Sequence, residues 1–117
     1  MTEPSSIRRI AGPHRGRSRA VVHGGLVWTV ATSPGASVAE QTAGCLATID
    51  AALREAGTDR SRIVEAVVYL PDISRKSEMD EVWCEWIPDN GWPCRACVSA
   101  SLPTGDLVEI KLTAALP

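Results

Sequence analysis

The sequence predicts an α+β fold in which two helices cover one face of a mostly antiparallel sheet of about six strands. Two stripes of apolar residues at helical spacing and several β-branched runs bounded by turn residues support this prediction, and they occur in the order β-β-α-β-α-β-β. The chain has 117 residues, 44% of them apolar, which fits one globular domain over residues 1–117.

The first elements form a predicted β-hairpin. Strands from Arg19 to His23 and from Leu26 to Thr32 flank Gly24-Gly25, and two adjacent glycines favour a tight two-residue turn. One more short strand is predicted around Ile7 to Ile10. It lies inside a stretch, residues 1–17, that we otherwise expect to be a loose arm.

A long helix is predicted next. Ser37 and Glu40 have the spacing of a capping box, and Gly57 is suited to end the helix. Between these ends, the residues that recur at helical spacing are Val38, Thr42, Cys45, Leu46, Ile49, Leu53 and Ala56.

The second half predicts a strand, a helix and a final pair of strands. Ile63 to Leu70 is a β-branched run, and a turn at Pro103-Thr104-Gly105-Asp106 joins the last two strands. If these two strands form a hairpin, Leu102 pairs with Leu107. The second helix ends before Pro88, and its apolar stripe consists of Met79, Val82, Trp83 and Trp86.

The strand from Ile63 to Leu70 is apolar on both faces, although two helices can cover only one. By alternation, one face carries Val64, Ala66 and Val68, and the other carries Ile63, Val67 and Tyr69. The uncovered apolar face needs a second cover, and another copy of the chain is the simplest one. The pattern therefore predicts a homo-oligomer.

Charge and hydropathy limit the partners that we expect. The net charge of −2 argues against a general nucleic-acid binder, although five of the twelve basic residues are Arg8, Arg9, Arg15, Arg17 and Arg19. No apolar run approaches the roughly 18 residues that a membrane span needs. The first residues lack the basic and then apolar pattern of a signal peptide, so we expect a cytoplasmic protein.

The four cysteines include the pattern Cys94-x-x-Cys97, a spacing found in redox pairs and zinc sites. Residues three apart on a strand point to opposite faces, however, and no second cysteine pair or nearby histidine supplies further ligands. We therefore predict neither a disulfide nor a metal site here. Cys45 and Cys84 are expected on the core faces of the two helices.

Arg95 and Glu109 are the conspicuous charged residues of the last two strands. An arginine fork can grip a carboxylate at two points, and a glutamate on a strand can hold or activate a water. The pair predicts a small-acid site on a rigid sheet. In the hairpin register the two side chains lie far apart on opposite faces, so they would meet only across a subunit boundary.

Each of these two residues also has a structural interpretation. Arg95 has no obvious partner within the chain, and it could form a surface or interface salt bridge instead of a binding site. Glu109 could be a solvated strand residue beside Lys111, although its apolar neighbours Val108 and Ile110 indicate a strand that is at least half buried.

An ordered set of motifs spans roughly residues 18 to 115. It comprises Glu40-Gln41-Thr42, Ala56-Gly57, Val67-Val68-Tyr69-Leu70, Met79-Asp80-Glu81-Val82-Trp83, Arg95-Ala96-Cys97-Val98, Leu102-Pro103 and Val108-Glu109-Ile110. In this order the set resembles the Rid family, also called YjgF/YER057c/UK114. The resemblance implies a chorismate-mutase-like fold, assembly as a homotrimer, and clefts between subunits.

The resemblance also implies a chemistry, the hydrolysis of reactive 2-imino acids without a metal or organic cofactor. In that chemistry Arg95 and the backbone N–H near Cys97 hold the carboxylate of the ligand, and Glu109 positions and activates the attacking water. Arg17 and Ala31 occupy the substrate-binding positions of the N-terminal half.

Two segments depart from the best-known branch of the family and indicate a divergent branch of short Rid-like proteins. Gly16-Arg17-Ser18 carries an arginine where the family has the tyrosine of a Gly-Pro-Tyr-Ser segment, and Val30-Ala31 replaces a Ser-Gly pair, followed by Thr32. A second cation in the cleft favours a ligand with two negative groups. The lost Ser-Gly pair weakens the expectation of fast hydrolysis of small imino acids.

Three functions follow from the sequence. The first is an enamine or imine deaminase, the second a non-catalytic trimer that binds a small carboxylate as a sensor or carrier. The third is an RNA-directed role, of the endoribonuclease or translation-inhibitor kind suggested for some relatives, using the arginine-rich arm. Turnover of an unstable imine separates the first from the second, and salt-sensitive RNA binding would support the third.

Overall fold

Six strands and two α-helices follow one another in the computed structural model, which describes residues 6–117. They are β1 (Arg8–Ala11), β2 (Ser18–His23), β3 (Leu26–Ala31), α1 (Val38–Ala56), β4 (Ile63–Leu70), α2 (Lys76–Trp86), β5 (Cys94–Ser99) and β6 (Glu109–Ala115). The predicted order is confirmed, including the extra strand around Ile7 to Ile10. Neither of these helices is long and apolar enough to cross a membrane. Of the arm predicted over residues 1–17, the first five residues lie outside the described part of the chain.

All six strands form one sheet with the order β1-β2-β3-β6-β4-β5. β5 runs parallel to β4, and every other neighbouring pair is antiparallel. The predicted hairpin between the last two strands is wrong, because β4 lies between β5 and β6 and Leu102 does not pair with Leu107. Two parallel neighbours need a long crossover, and here α2 lies in that crossover.

A buried glutamine, instead of strand pairing, holds the connection from β5 to β6. The Gln41 side chain, on α1, donates to the carbonyl of Gly105 at 2.9 Å and accepts from the N–H of Leu107 at 2.8 Å. The predicted turn is present, closed by the N–H of Asp106, which donates to the carbonyl of Pro103 at 3.0 Å. These contacts fix the approach to β6 and therefore the position of Glu109.

The two helices pack on the same face of the sheet, as predicted, and the core lies between them and the strands. The largest fully buried side chains in this core are Leu46, Ile49 and Leu53 of α1, Met79 of α2, and Leu70, Ile110 and Leu112 of the sheet. Burial of this apolar surface is the main term that stabilises the fold.

The start of β4 departs from the predicted alternation. The pairing of β4 with β6 shifts between Ile63 and Glu65, as at a β-bulge. The extra residue turns Ile63 into the core, where it is 5% exposed, and leaves Val64 45% exposed. The predicted faces of these two residues are therefore exchanged, whereas Ala66 and Val68 lie on the helix-covered face as expected.

The ends of α1 follow the capping prediction with one difference. The Ser37 hydroxyl accepts from the N–H of Glu40 at 3.1 Å, and Gly57 ends the helix with a φ of 96°. The Glu40 carboxylate accepts from the N–H of Ala36 at 2.9 Å, one residue before the N-cap that a capping box would use. Both ends are nevertheless satisfied by the residues that the sequence indicated.

The cysteines are free in the described structure. Cys45 is buried as predicted, but Cys84 is exposed, because it follows Trp83 by one position and so lies off the apolar stripe of α2. Cys94 is exposed on one face of β5, and Cys97 lies on the face beneath α2. Across residues 6–117 no three His, Cys, Asp or Glu side chains are grouped closely enough to hold a metal ion.

The face of the sheet away from the helices, which we call the open face, is largely apolar. By strand register it carries Val21, Trp28, Val30, Val67, Tyr69 and Val98. Val30 and Val98 are 37% and 40% exposed. An apolar surface of this extent within one sheet is typical of a face that another protein surface covers.

Candidate functional site

A cavity of about 200 Å³ lies at the end of the sheet where β2 begins, β3 ends and β6 begins. Three of the predicted site residues, Arg17, Ala31 and Glu109, line it together. The cavity is therefore assembled from the loop after β1, the end of β3 and the first residue of β6. Its remaining lining residues are Gly12, Pro13, His14, Ser18, Arg19, Val30, Thr32 and Thr48.

The loop between β1 and β2 presents Arg17 to this cavity. Gly16 has a φ of 87°, a conformation that residues with a side chain rarely adopt, and it turns the chain directly before Arg17. Arg17 is exposed and makes no ion pair with any described residue. Arg19, by contrast, pairs with Glu55 of α1 and so has its charge partly neutralised.

Glu109 is half-buried at the first position of β6, on the same side of that strand as Lys111. Within the described part of the chain its carboxylate accepts no hydrogen bond. A carboxylate held by a strand and not engaged by a protein donor can accept a hydrogen bond from a water in the cavity. Thr32 and Thr48 are lining residues of the same cavity, and their hydroxyls can supply further polar contacts.

Ala31 contributes to the cavity wall and is held from beneath by Cys45. The Cys45 thiol donates to the carbonyl of Ala31 at 3.4 Å, and Ala31 itself is 6% exposed. Burial, reinforced by the charges of Asp106 and Glu109, raises the pKa of the Cys45 thiol to about 12. Cys45 is therefore a protonated packing residue, not a nucleophile.

Arg95 lies outside this cavity, on β5 under α2. Its guanidinium donates to the Asp80 carboxylate at 2.6 Å and lies 5.3 Å from the ring centre of Trp83. The side chain is 17% exposed. The expectation that Arg95 has no partner within the chain is therefore wrong. The partner is on α2, fifteen residues earlier, and alternation along β5 does not indicate it.

Asp80 is shared by two cations, Arg95 and Lys76, whose Nζ lies 2.6 Å from the other carboxylate oxygen. Burial alone would raise the pKa of Asp80, but hydrogen bonds and charge from Lys76 and Arg95 outweigh it and hold that pKa below its ordinary value of 3.8. Asp80 is thus ionised at neutral pH, and the three side chains together carry one net positive charge.

Cys97 follows Arg95 on the same face of β5 and is half-buried. Burial raises the pKa of its thiol above the ordinary value, although the charge of Arg95 opposes this. The thiol is therefore not activated for attack. β5 is an edge strand, so one side of its backbone has no neighbouring strand within the described sheet. A backbone N–H near Cys97 can bind a ligand carboxylate only if it is free of strand pairing in this way.

Arg95 and Glu109 do not meet within one chain. β4 separates their strands, and the sheet spacing places β5 and β6 roughly 10 Å apart. By register Arg95 pairs with Ala66 and faces the helices, whereas Glu109 pairs with Tyr69 and faces the other way. The predicted site is therefore divided into two halves, one at the cavity and one at the edge of the sheet.

Sequence reasoning did not name five polar residues of the cavity as binding positions: His14, Ser18, Arg19, Thr32 and Thr48. Thr32 entered the sequence analysis only as the residue that follows the replaced Ser-Gly pair. Thr48 lies on the exposed side of α1, where no periodicity marks a functional residue. His14 sits in an irregular loop, so its place in the cavity becomes visible only when the loop folds over β2 and β3.

A six-stranded sheet with two helices on one face and a polar cavity at the strand ends defines a YjgF-like, chorismate-mutase-like architecture. A YjgF-family protein from Neisseria meningitidis matches this chain with a TM-score of 0.92 and 39% identity, covering 98% of each chain. A member of the YjgF/YER057c/UK114 family from Mycobacterium tuberculosis gives a TM-score of 0.87 and 32% identity, over 95% of this chain and 100% of that one.

Sequence comparison gives the same assignment. The family model described as Endoribonuclease L-PSP matches residues 15–116. A RutC family protein from Haemophilus ducreyi is 35% identical over 103 residues, which cover 85% of this chain and 88% of that protein. The chain therefore belongs to the YjgF/Rid family, as its motifs had indicated.

Proposed function

We propose that the protein is an enamine or imine deaminase that hydrolyses 2-imino acids to 2-keto acids and ammonia in clefts between the subunits of a homotrimer. The observation that carries this proposal is the division of the site. Glu109 lines the cavity, and its carboxylate accepts no hydrogen bond from a described residue. Arg95 lies on the edge strand, where Glu109 of the same chain cannot reach it. A neighbouring copy that brings its Arg95 to the cavity would complete the site.

In the completed cleft, Arg95 of the neighbouring copy holds the carboxylate of the substrate by a two-point, charge-assisted contact, aided by the backbone N–H near Cys97. Asp80 and Trp83 fix the guanidinium from the helix side, so its orientation is set before the ligand arrives. The carboxylate contact would place the neighbouring imine carbon beside Glu109.

Hydrolysis then requires proton transfers that one carboxylate can perform. Glu109 takes a proton from water as the water oxygen adds to the imine carbon, and it passes that proton to the nitrogen. The resulting carbinolamine loses ammonia when its C–N bond breaks, while its hydroxyl proton moves to Glu109 and then to the leaving nitrogen. Imines hydrolyse readily in water, so positioning and modest acid–base help suffice, and the mechanism uses no metal or organic cofactor.

A direct test follows the decay of a 2-imino acid generated in the assay by oxidation of an amino acid. Wild type should shorten the lifetime of the imine, and Glu109→Gln should lower the catalysed rate by about 10²-fold or more. Glu65→Gln is the matched control, because Glu65 lies on the same face of the sheet outside the cavity. Equal rates in wild type and Glu109→Gln would contradict the proposal.

The second candidate is a trimer that binds a small carboxylate without turning it over. The cavity favours it in one respect: Val30 and Ala31 line the wall where the best-known branch has Ser-Gly, so a hydroxyl is absent from those two positions. Tight binding of 2-keto acids together with an unchanged imine lifetime would support this function over the first.

An RNA-directed role is the third candidate. Arg8, Arg9, Arg15 and Arg17 are all exposed near the first strand, and the matching family model is described as Endoribonuclease L-PSP. Phosphate contacts by such arginines would give binding that weakens steeply with salt. RNA affinity that does not change between 50 and 200 mM salt would count against this candidate.

A further inference from the structure

We infer that the ligand of this cavity carries a second carboxylate, bound by Arg17, so that the preferred substrates and products are 2-imino and 2-keto dicarboxylic acids. This inference rests on the proposed function, because it takes the first carboxylate to be held by Arg95. It concerns the opposite end of the ligand, which the loop between β1 and β2 contacts.

The first argument is the charge balance of the cavity. Its charged lining residues are Arg17, Arg19 and Glu109. Arg19 is paired with Glu55, which lies outside the cavity, so Arg17 and Glu109 remain without partners in the described structure. The two do not form an ion pair with each other. Arg17 and Glu109 cancel in net charge, but the Arg17 guanidinium makes no ion pair with a described residue and is therefore available to an anionic ligand group.

The second argument is the number of hydrogen-bond donors around Arg17. His14, Ser18, Thr32 and Thr48 are lining residues of the same cavity, and each has a side chain that can donate a hydrogen bond. A carboxylate has about four acceptor positions, and several donors beside a guanidinium can fill them. A short apolar side chain would leave these polar groups without partners, with only Pro13, Val30 and Ala31 to pack against.

The third argument is size. The cavity has a volume of about 200 Å³, which is below the range of roughly 300–1,000 Å³ typical of drug-sized ligand pockets. A ligand with a carboxylate at each end and a short chain between them fits this volume. Gly16, with a φ of 87°, turns the chain directly before Arg17, which lines the cavity and could meet the second carboxylate there.

The test is a calorimetric comparison of 2-oxoglutarate with 2-oxopentanoate, which has the same chain length and lacks the second carboxylate. Wild type should bind 2-oxoglutarate at least tenfold more tightly. Arg17→Gln should reduce that preference to within about twofold, chiefly by weakening the binding of 2-oxoglutarate. Arg15→Gln is the matched control, since Arg15 is an exposed arginine of the same loop that does not line the cavity.

Each outcome has a defined meaning. If wild type binds both acids equally and Arg95→Ala abolishes both, the second-carboxylate inference is wrong while the carboxylate clamp stands. If neither acid binds, or if Arg95→Ala leaves binding unchanged, both the inference and the proposed clamp are wrong. A terminally phosphorylated 2-keto acid that binds more tightly than 2-oxoglutarate, and depends on Arg17, would replace the dicarboxylate by a phosphate ligand.

Discussion

The guanidinium of Arg95 already has a carboxylate partner, Asp80, at 2.6 Å within its own chain. A single fixed ion pair would compete with a ligand for the same donors. Here Asp80 is divided between Arg95 and Lys76, so the three side chains retain one positive charge with which to attract a carboxylate. The contact therefore orients the arginine without cancelling its charge.

The variant Arg95→Ala should lose binding of small carboxylates while keeping its fold. Loss of a charge-assisted contact costs about 1.5–3 kcal/mol, hence at least tenfold in affinity. The stability loss should be about 1–3 kcal/mol and leave the fold intact, because the mostly buried guanidinium also packs on Trp83 while Lys76 remains beside Asp80. Calorimetry and thermal unfolding check both parts, with Arg75→Ala, an exposed arginine that pairs with Glu78, as the control.

An unchanged affinity in Arg95→Ala would show that the arginine is purely structural. A variant that fails to fold would show the same, because the guanidinium would then be needed by the core around Trp83 rather than by a ligand.

Asp80 should make stability depend on pH in acid. Its pKa in the folded protein lies below the ordinary value of 3.8 because the bonds from Lys76 and Arg95 outweigh the effect of burial. The unfolded state therefore binds the proton more readily, and the contribution of Asp80 is fully present above about pH 4 and disappears as pH falls through the lower, folded-state pKa. Urea unfolding of wild type and Asp80→Asn should differ at pH 7, and the difference should shrink as the pH falls below 4.

Asp59 and Asp72, whose pKa values are lowered by hydrogen bonds from Ser61 and Ser74, are present in both proteins and cancel in this comparison. A gap between wild type and Asp80→Asn that does not shrink as the pH falls below 4 would contradict the ionic role of Asp80.

At the scale of the elements, local sequence signals were sufficient to predict which segments form helices and strands and in which order they follow one another. Two glycines with φ of 59° and 81° form the turn between β2 and β3, and Gly57 ends α1, because only glycine adopts such conformations readily. Apart from the hairpin of β2 and β3, the neighbours of each strand were not encoded locally. The pairing of β4 with β5 and the position of β6 depend on contacts between distant residues, such as those of Gln41 with the connection before β6.

The candidate site, too, could be predicted only where it depends on local motifs and not on contacts between distant residues. Arg17, Ala31 and Glu109 could be named from motifs, and the structure brings them to one cavity. The ion-pair partner of Arg95 and the place of Thr48 in the cavity could not be predicted from motifs, because each depends on how a helix packs over the sheet. The β-bulge in β4 exchanged the faces of Ile63 and Val64, which alternation alone does not reveal.

Gln41→Ala should destabilise the protein by about 1–3 kcal/mol, since Gln41 is 1% exposed and its loss leaves backbone groups at Gly35, Gly105 and Leu107 without their partner. Urea unfolding measures the change. Glu81→Ala, an exposed position on α2, serves as the control and should be nearly neutral. A Gln41→Ala midpoint equal to that of wild type would show that the connection is held by other contacts.

For the whole molecule, the open face of the sheet is the feature that calls for a second surface. We expect a homotrimer in solution, with a mass about three times the 12.5 kDa of the chain, by sedimentation equilibrium at micromolar concentration. Val98→Glu on the open face should dissociate it. Ile73→Glu should not, because Ile73 has a similar exposure, 45% against 40%, and belongs to the turn before α2.

A stable wild-type monomer in this measurement would contradict both the proposed trimer and the proposed cleft between subunits. A trimer that survives Val98→Glu would instead place the interface elsewhere on the molecule.

The separation of Arg95 from Glu109 by β4 has a consequence for mixtures of defective chains. Arg95→Ala retains an intact Glu109, and Glu109→Gln retains an intact Arg95, so under the proposed function neither variant alone would form a working cleft. Co-refolded in equal amounts, the two would pair at random around a head-to-tail ring, and roughly one cleft in four would combine the two sound halves. Two inactive preparations should thus regain roughly a quarter of wild-type turnover on mixing, a form of complementation that a site contained within one subunit cannot produce.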